Sequence, residues 1–309
     1  MPEPPLSSAR PLPAISKDKI GKALDAVVKA LTEEHGPGTV ARLGQRGAYA
    51  EVKYVVPTGI PALDDDVFGV GGLPLGRLVE IYGREQSLKT TFSRWITAAA
   101  QAHGATAHFL DFELSGSADF DRQLGAQESR TLISQPDTME DGFALMLEGL
   151  AILNKAGVPS VYVYDSLAAS KLKAQLMGEL DEGEAPAEQA RFLGKHLAKL
   201  IELLKPGLAC VVIVNQIRDK VGAPKFAKQS DSPGGHALKH FCHVRIETSF
   251  MGQIRKGEKV IGLRSRFKAV KNKVAPPFGE CVVEFYFDPL RLVPEAASRK
   301  QPVQKAGSG

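Results

Sequence analysis

Lys89 and Thr90 open a helical pattern just after a polar loop, Gly83-Arg84-Glu85-Gln86-Ser87-Leu88, and the loop itself follows the apolar run 78–82. A strand, a loop and a helix start in this order make a phosphate-binding P-loop. Backbone N–H groups at the helix start cradle phosphate oxygens. In this reading Lys89 neutralises the β- and γ-phosphates and the Thr90 hydroxyl ligates Mg²⁺, with Thr91 completing the segment. The implied ligand is a nucleoside triphosphate. Leu88 departs from the pattern, because Gly normally stands before the Lys where backbone approaches phosphate closely. A Leu there requires its side chain to turn away from the nucleotide. An ordinary strand-to-helix turn is the competing reading of the loop alone.

Three further apolar runs end in polar groups. Residues 160–164 lead to Asp165 and Ser166. Downstream of a P-loop, such an acid holds the Mg²⁺ water shell and the Ser contacts the phosphate region; otherwise the Asp caps the next helix. Residues 105–110 lead to Asp111 and Glu113. ATP hydrolysis needs a group that orients the attacking water, and Glu113 is the candidate; a solvated loop acid is the alternative. Residues 208–214 lead to Asn215 and Gln216, where a Gln can hydrogen-bond a γ-phosphate and report its presence. The segment 217–233 has no clear period, and Gly222, Pro224 and Pro233 oppose regular structure. Its Arg218, Lys220, Lys225, Phe226 and Lys228 suit a DNA-binding loop, and a mobile surface loop is the plainer reading.

The elements that position these groups alternate. Buried strands are expected at 78–82, 105–111, 160–165 and 208–215, and helices at 89–103, 140–156 and 188–204. This alternation predicts an α/β fold with a mostly parallel central sheet flanked by helices. Ligands on such sheets bind at the carboxyl ends of strands, where Gly83, Asp111, Asp165 and Asn215 fall. Further strands are expected at 241–249 and 260–271, with Gly252 and Gly257 near a turn. Residues 1–16 read as a disordered N-terminus. Ile20, Leu24, Val27, Val28 and Leu31 recur at helical spacing until Gly36-Pro37-Gly38. That helix packs either on its own core or on a neighbouring subunit. The expected organisation is a helix and linker at 17–56, a core at 57–288 and a basic flexible tail at 289–309.

At 309 residues, 43% of them hydrophobic, the chain can bury a full core. No apolar run is long enough for a membrane span, and the N-terminus lacks signal-peptide character, so a cytoplasmic protein is expected. Cys210, Cys242 and Cys281 lack metal-ligand spacing. The net charge of +4 argues for no partner by itself, although basic residues crowd 255–273.

Several segments together resemble the RecA family of strand-exchange recombinases. They are Gly71-Gly-Leu-Pro-Leu-Gly-Arg-Leu-Val-Glu-Ile-Tyr-Gly83, Ser134-Gln-Pro-Asp137, Asn215-Gln-Ile-Arg218, Gly234-Gly-His-Ala-Leu-Lys239 and Val270-Lys-Asn-Lys273, in the family's order from about residue 17 to 285. The resemblance implies a RecA-like P-loop ATPase core with an N-terminal helical polymerisation arm. It implies ATP and Mg²⁺ at Gly83 to Thr91 with Asp165 and Ser166, and Glu113 as the catalytic carboxylate. Gln216 is implied as the switch that couples ATP to the second DNA loop, roughly 217–235, closed by Gly234-Gly235. The first DNA loop corresponds to about 176–187, with Arg191 following it. Phe120 falls where the family stacks an aromatic on adenine. Lys271 and Lys273 match residues that reach the ATP of the neighbouring subunit.

The implied partners are single-stranded DNA, homologous duplex DNA, further copies of the chain in a helical filament, and single-strand-binding and loading proteins. Departures from the family pattern are Leu88 in place of the P-loop Gly, His240 and Cys242 in a subunit-contact region that is usually more apolar or aromatic, and an acidic first loop with Glu179, Asp181, Glu182 and Glu184. The chain also ends near the start of the family's C-terminal domain. The expected activity is DNA-stimulated ATP hydrolysis coupled to pairing and strand exchange. A RecA-like accessory protein with little turnover is the rival, and a ring-forming helicase motor is a third possibility. Bacterial and phage origins both fit.

Overall fold

The structure is a computed structural model that describes residues 14–36, 39–43, 51–181, 183–219, 230–231 and 235–295. The chain divides into two compact units, Met1–Glu51 and Val52–Gly309.

The first unit holds helix α1 (Lys17–His35). The Ser16 hydroxyl caps it by accepting the Lys19 N–H at 3.3 Å, and Gly36 closes it through a bond to the Thr32 carbonyl. No residue of α1 is buried. The predicted apolar stripe stands open, with Ile20, Leu24 and Val27 each close to half exposed.

The second unit holds the sheet. Its elements are β1 (Val55–Val56), β2 (Leu73–Pro74), β3 (Arg77–Gly83), α2 (Lys89–Ala102), β4 (Thr106–Asp111), α3 (Ala118–Gln123), β5 (Thr131–Ser134), α4 (Met139–Ala156), β6 (Ser160–Asp165), α5 (Lys173–Leu176), α6 (Ala185–Leu204), β7 (Ala209–Gln216), β8 (Arg218–Asp219), β9 (Ser230–Asp231), α7 (Gly235–Phe241), β10 (Val244–Lys256), β11 (Lys259–Asn272), β12 (Glu280–Phe287) and β13 (Leu290–Pro294). Among the described residues, nine strands form the main sheet in the order β13-β12-β11-β10-β3-β7-β6-β4-β5. From β10 to β5 every pairing is parallel. From β10 to β13 every pairing is antiparallel.

The central strands are apolar on both faces, as parallel strands covered by helices must be. Val79, Ile81, Val161, Val163, Val212 and Val214 face α2, whose Phe92 and Ile96 join the same cluster. Leu78, Tyr162, Tyr164, Val211 and Ile213 face the other way, toward Met146 of α4 and Leu193 and Leu197 of α6. Alternate side chains of a strand point to opposite faces, so one apolar run feeds both clusters.

Three expectations are corrected. Residues 241–243 are not in a strand, because Gly235–Phe241 is helical and Ala237, Leu238 and Phe241 pack with the α6 cluster. The expected flexible tail begins instead with β13, where Leu292 is buried on the sheet edge and alternates with exposed Arg291. The segment after Gln216 is not wholly irregular, since β8 and β9 pair antiparallel.

Candidate active site

Gly83 ends β3 with no room for a side chain. A Cβ there would lie 2.3 Å from the Thr248 carbonyl and 2.8 Å from Ser87 Oγ. The loop is tied to β10 through Ser87 Oγ, 2.8 Å from Thr248 Oγ1, and to itself through a Ser87 bond to the Arg84 carbonyl at 2.6 Å. Gln86 and Leu88 adopt positive φ, 59° and 65°. Leu88 is buried in the apolar cluster beside Phe92, so its side chain has turned away as the sequence reading required. Lys89 is buried at the start of α2 and its ammonium donates to the Arg84 carbonyl at 2.7 Å. Burial lowers the Lys89 pKa, while Asp165, Glu113 and Glu85 favour its charge.

A cavity of about 240 Å³ lies over this loop. Glu85, Gln86, Ser87, Leu88, Lys89, Thr90 and Thr91 line one side, and Glu113, Asp165, Val214, Gln216 and Leu263 the other. Glu113, Asp165 and Gln216, from the ends of β4, β6 and β7, therefore meet the loop that follows β3 in one place, while Asp111 and Asn215 do not line the cavity. Glu113 accepts hydrogen bonds at one oxygen from Ser166 Oγ and, at 3.1 Å, from Gln216 Nε2. The Glu113 backbone N–H donates to Asp111 Oδ1 at 3.2 Å.

Asp165 is fully buried. Neither of its carboxylate oxygens has a hydrogen-bond partner among the described residues. Burial pushes its carboxyl up to about 7; the nearby Thr90 hydroxyl favours the charged form without closing a hydrogen bond within normal reach. A buried carboxylate without donors is costly. A hydrated Mg²⁺ between Thr90 and Asp165 would remove that cost, so these residues fit the ion. Among the described residues, no cluster of three or more metal-ligating side chains competes for it.

Other expected residues fall elsewhere. Phe120 does not line this cavity; it packs on Phe285 at a centroid distance of 6.3 Å. Lys271 pairs in register with Arg245, and Arg245 with Glu80, three residues before Gly83. That places Lys271 roughly 10 Å along the strands from the loop. Its ammonium donates to the carbonyls of Lys239 and His240, and the Lys273 N–H donates to the His243 carbonyl at 2.9 Å. Arg191 is exposed on α6 and pairs with Glu188 at 2.6 Å. Gly235 starts α7 beside that helix, where an added Cβ would lie 3.9 Å from Cβ of Ala190. The expected first loop is cut short by α6, which starts at Ala185 with Pro186 in its first turn. Arg218 opens β8. Lys220, Lys225, Phe226, Lys228 and Gly234 lie outside the described residues.

Thr248 and Leu263 complete the site but were not read from the sequence. Nothing local marks them. Thr248 reaches the loop only because β10 pairs in parallel with β3, about which the sequence between them is silent.

A largely parallel sheet with a loop-to-helix turn after β3 and acids ending β4 and β6 defines a P-loop α/β protein. The family model for the RecA N-terminal domain matches residues 22–289. Protein RecA of Thermus thermophilus is 39% identical over 292 residues, covering 93% of this chain and 83% of that protein. Protein RecA of Geobacter sulfurreducens is 38% identical over 266 residues, covering 86% and 76% respectively. The chain belongs to the RecA family.

Proposed function

We propose that this protein is an ATP-dependent recombinase that forms filaments on single-stranded DNA and promotes pairing and strand exchange with homologous duplex DNA. The observation that carries the reading is Glu113, which touches Gln216 while both border the phosphate loop. Gln216 ends β7 and leads directly into β8 and the basic segment beyond it. A group that meets both the hydrolytic carboxylate and the start of that segment can couple nucleotide state to DNA contact.

In this reading the backbone of Gly83 to Leu88 holds the ATP phosphates and Lys89 offsets their charge. Lys89 then exchanges the Arg84 carbonyl for a phosphate oxygen. Glu113 orients the attacking water, with Ser166 fixing the carboxylate. Mg²⁺, held by Thr90 and Asp165, would neutralise charge on the β- and γ-phosphates. Lys271 and Lys273 lie away from their own loop, which suits action on the ATP of a neighbouring subunit. The exposed stripe of α1 suits a polymerisation arm, and Arg191, Arg218 and the residues after Arg218 suit DNA contact. Phe120 suits adenine only if a neighbouring subunit or bound nucleotide completes the base pocket around it. No helix among the described residues is long and apolar enough to cross a membrane, which suits a cytoplasmic protein with DNA, and single-strand-binding and loading proteins, as partners.

ATP hydrolysis measured with and without single-stranded DNA, wild type beside Glu113→Gln, tests the reading. The expected result is strong stimulation in the wild type and its loss in the variant. Wild-type protein that binds DNA without turnover would instead favour a non-catalytic accessory role.

A further inference from the structure

Arg94 lies on α2, one helical turn beyond Thr90, and is not among the residues that line the phosphate cavity. Its side chain is only 4% exposed, which is rare for an Arg without tight pairing. The guanidinium carbon sits 4.2 Å over the Phe109 ring. Nη1 donates to both carboxylate oxygens of Asp121 on α3 at 2.7 Å, and Nη2 lies 3.6 Å from Asp111 Oδ2. Asp111 in turn accepts three backbone N–H groups, those of Glu113 and Ser115 at 3.2 Å and Gly116 at 2.9 Å. The Asp111 carboxylate therefore shapes the loop that carries Glu113, and Arg94 neutralises that carboxylate.

The contact is built tightly. A Cβ on Gly116 would lie 2.9 Å from Asp111 Oδ2 and 3.1 Å from Arg94 Nη2. Behind the ion pair the packing is open. A cavity of about 320 Å³ is lined by Arg94, Asp121 and residues of β5, and α3 itself has no buried residue. Release of Asp121 thus leaves α3 and the following loop room to shift. Breaking a buried pair by removing one partner is costly, so the network is held firmly while it is intact.

We propose that Arg94 is a positioning residue for hydrolysis, fixing Glu113 relative to the phosphate loop through Asp111 and anchoring α3 through Asp121. The proposal rests on the reading of Glu113 as the water-orienting group. Arg94 stands on the helix that begins with Lys89 and Thr90, so it ties the position of Glu113 to the helix that receives the phosphates. A residue acting in this way changes turnover more than nucleotide capture.

The test is steady-state ATPase on single-stranded DNA for Arg94→Met, Arg94→Lys and Gly116→Ala, with binding of a fluorescent ATP analogue measured in parallel. Gly116→Ala wedges the same contact without unpairing a buried charge, and it serves where Arg94→Met fails to fold. The expected result is a roughly tenfold or larger fall in kcat for Arg94→Met and Gly116→Ala, about 1.4 kcal/mol per tenfold, with KM and analogue binding within about twofold. Arg94→Lys, which keeps the charge, recovers part of the loss. Wild-type kcat in Gly116→Ala and in a folded Arg94→Met, beside an inactive Glu113→Gln, overturns the proposal and leaves the Glu113 reading standing. Equal losses of kcat and analogue binding overturn it in favour of a purely structural role. Full turnover in Glu113→Gln is a separate failure, that of the reading on which the proposal rests.

Discussion

Gln216 Nε2 stands 3.1 Å from Glu113 Oε1, and Ser166 donates to the same oxygen. One carboxylate oxygen thus joins the ends of β4, β6 and β7. When a γ-phosphate enters, Gln216 must choose between that acceptor and Glu113. Gln216→Ala removes the choice. It is expected to keep DNA-independent hydrolysis within about threefold while DNA stimulation falls to under about twofold. If Glu113 orients the attacking water, Glu113→Gln should cost on the order of 10²–10⁴ in kcat. Full DNA stimulation in Gln216→Ala would break the coupling argument.

Leu88 is held at a φ of 65°, where a non-Gly residue pays roughly 1 kcal/mol, yet its side chain is buried in the α2 cluster. Burial of a Leu is worth about 2 kcal/mol, so packing outweighs strain. Leu88→Gly should therefore destabilise the fold by about 1–2 kcal/mol in urea unfolding. Its affinity for ATP should stay within about threefold, because the backbone already takes the shape the loop needs. A more stable Leu88→Gly protein would show that strain, not packing, dominates.

That balance was hidden in the sequence. The chain shows Leu88 as an exception to the loop pattern, but not which way its side chain turns. The apolar runs and their terminal acids were legible because parallel strands buried on both faces read as continuous hydrophobic stretches. Thr248 and Leu263 were not, since they come from the antiparallel extension, and only the β3–β10 pairing brings them to the loop. Arg94 was invisible for a similar reason. An Arg in an amphipathic helix reads as surface, and only Asp111 and Asp121 from two other elements make its burial possible. β13 was missed because it is short, carries Arg291 and Pro294, and runs straight into the basic tail that follows it.

His243 Nδ1 accepts the Leu78 backbone N–H at 3.1 Å, so the ring must stay unprotonated at that nitrogen. Burial, with Arg77, Lys273 and Lys271 nearby, pushes its pKa down to about 4 from the usual 6.5. Between pH 6.5 and 4 the unfolded chain binds the proton and the fold does not. Stability contributed by this group is therefore complete above about 6.5, is lost as pH falls, and levels off below about 4. After allowance for solvent screening the loss is about 1–3 kcal/mol. Urea midpoints at about pH 7 and about pH 4.5, compared for wild type and His243→Asn, check this. The variant should show a flatter dependence over that interval. An unchanged slope would mean that His243 is protonated in the fold without penalty.

Lys271 lies about 10 Å along the strands from Gly83, where the loop leading to Lys89 begins. If Lys271 serves the ATP of a neighbouring subunit, the two lysines of one active site come from two chains. Lys89→Ala then lacks the cis cation but still offers Lys271 to its neighbour, and Lys271→Ala has the reverse defect. Each variant alone should lose at least about tenfold in DNA-stimulated turnover, since each removes a charge facing the transferring phosphate. Mixed in equal amounts, they form some junctions in which an intact phosphate loop meets an intact Lys271. Turnover of the mixture should therefore exceed the mean of the two separate proteins, and do so only when DNA is present to assemble them. Turnover equal to that mean would place Lys271 in cis or outside the reaction altogether, because no pairing of the two chains would then restore a complete site.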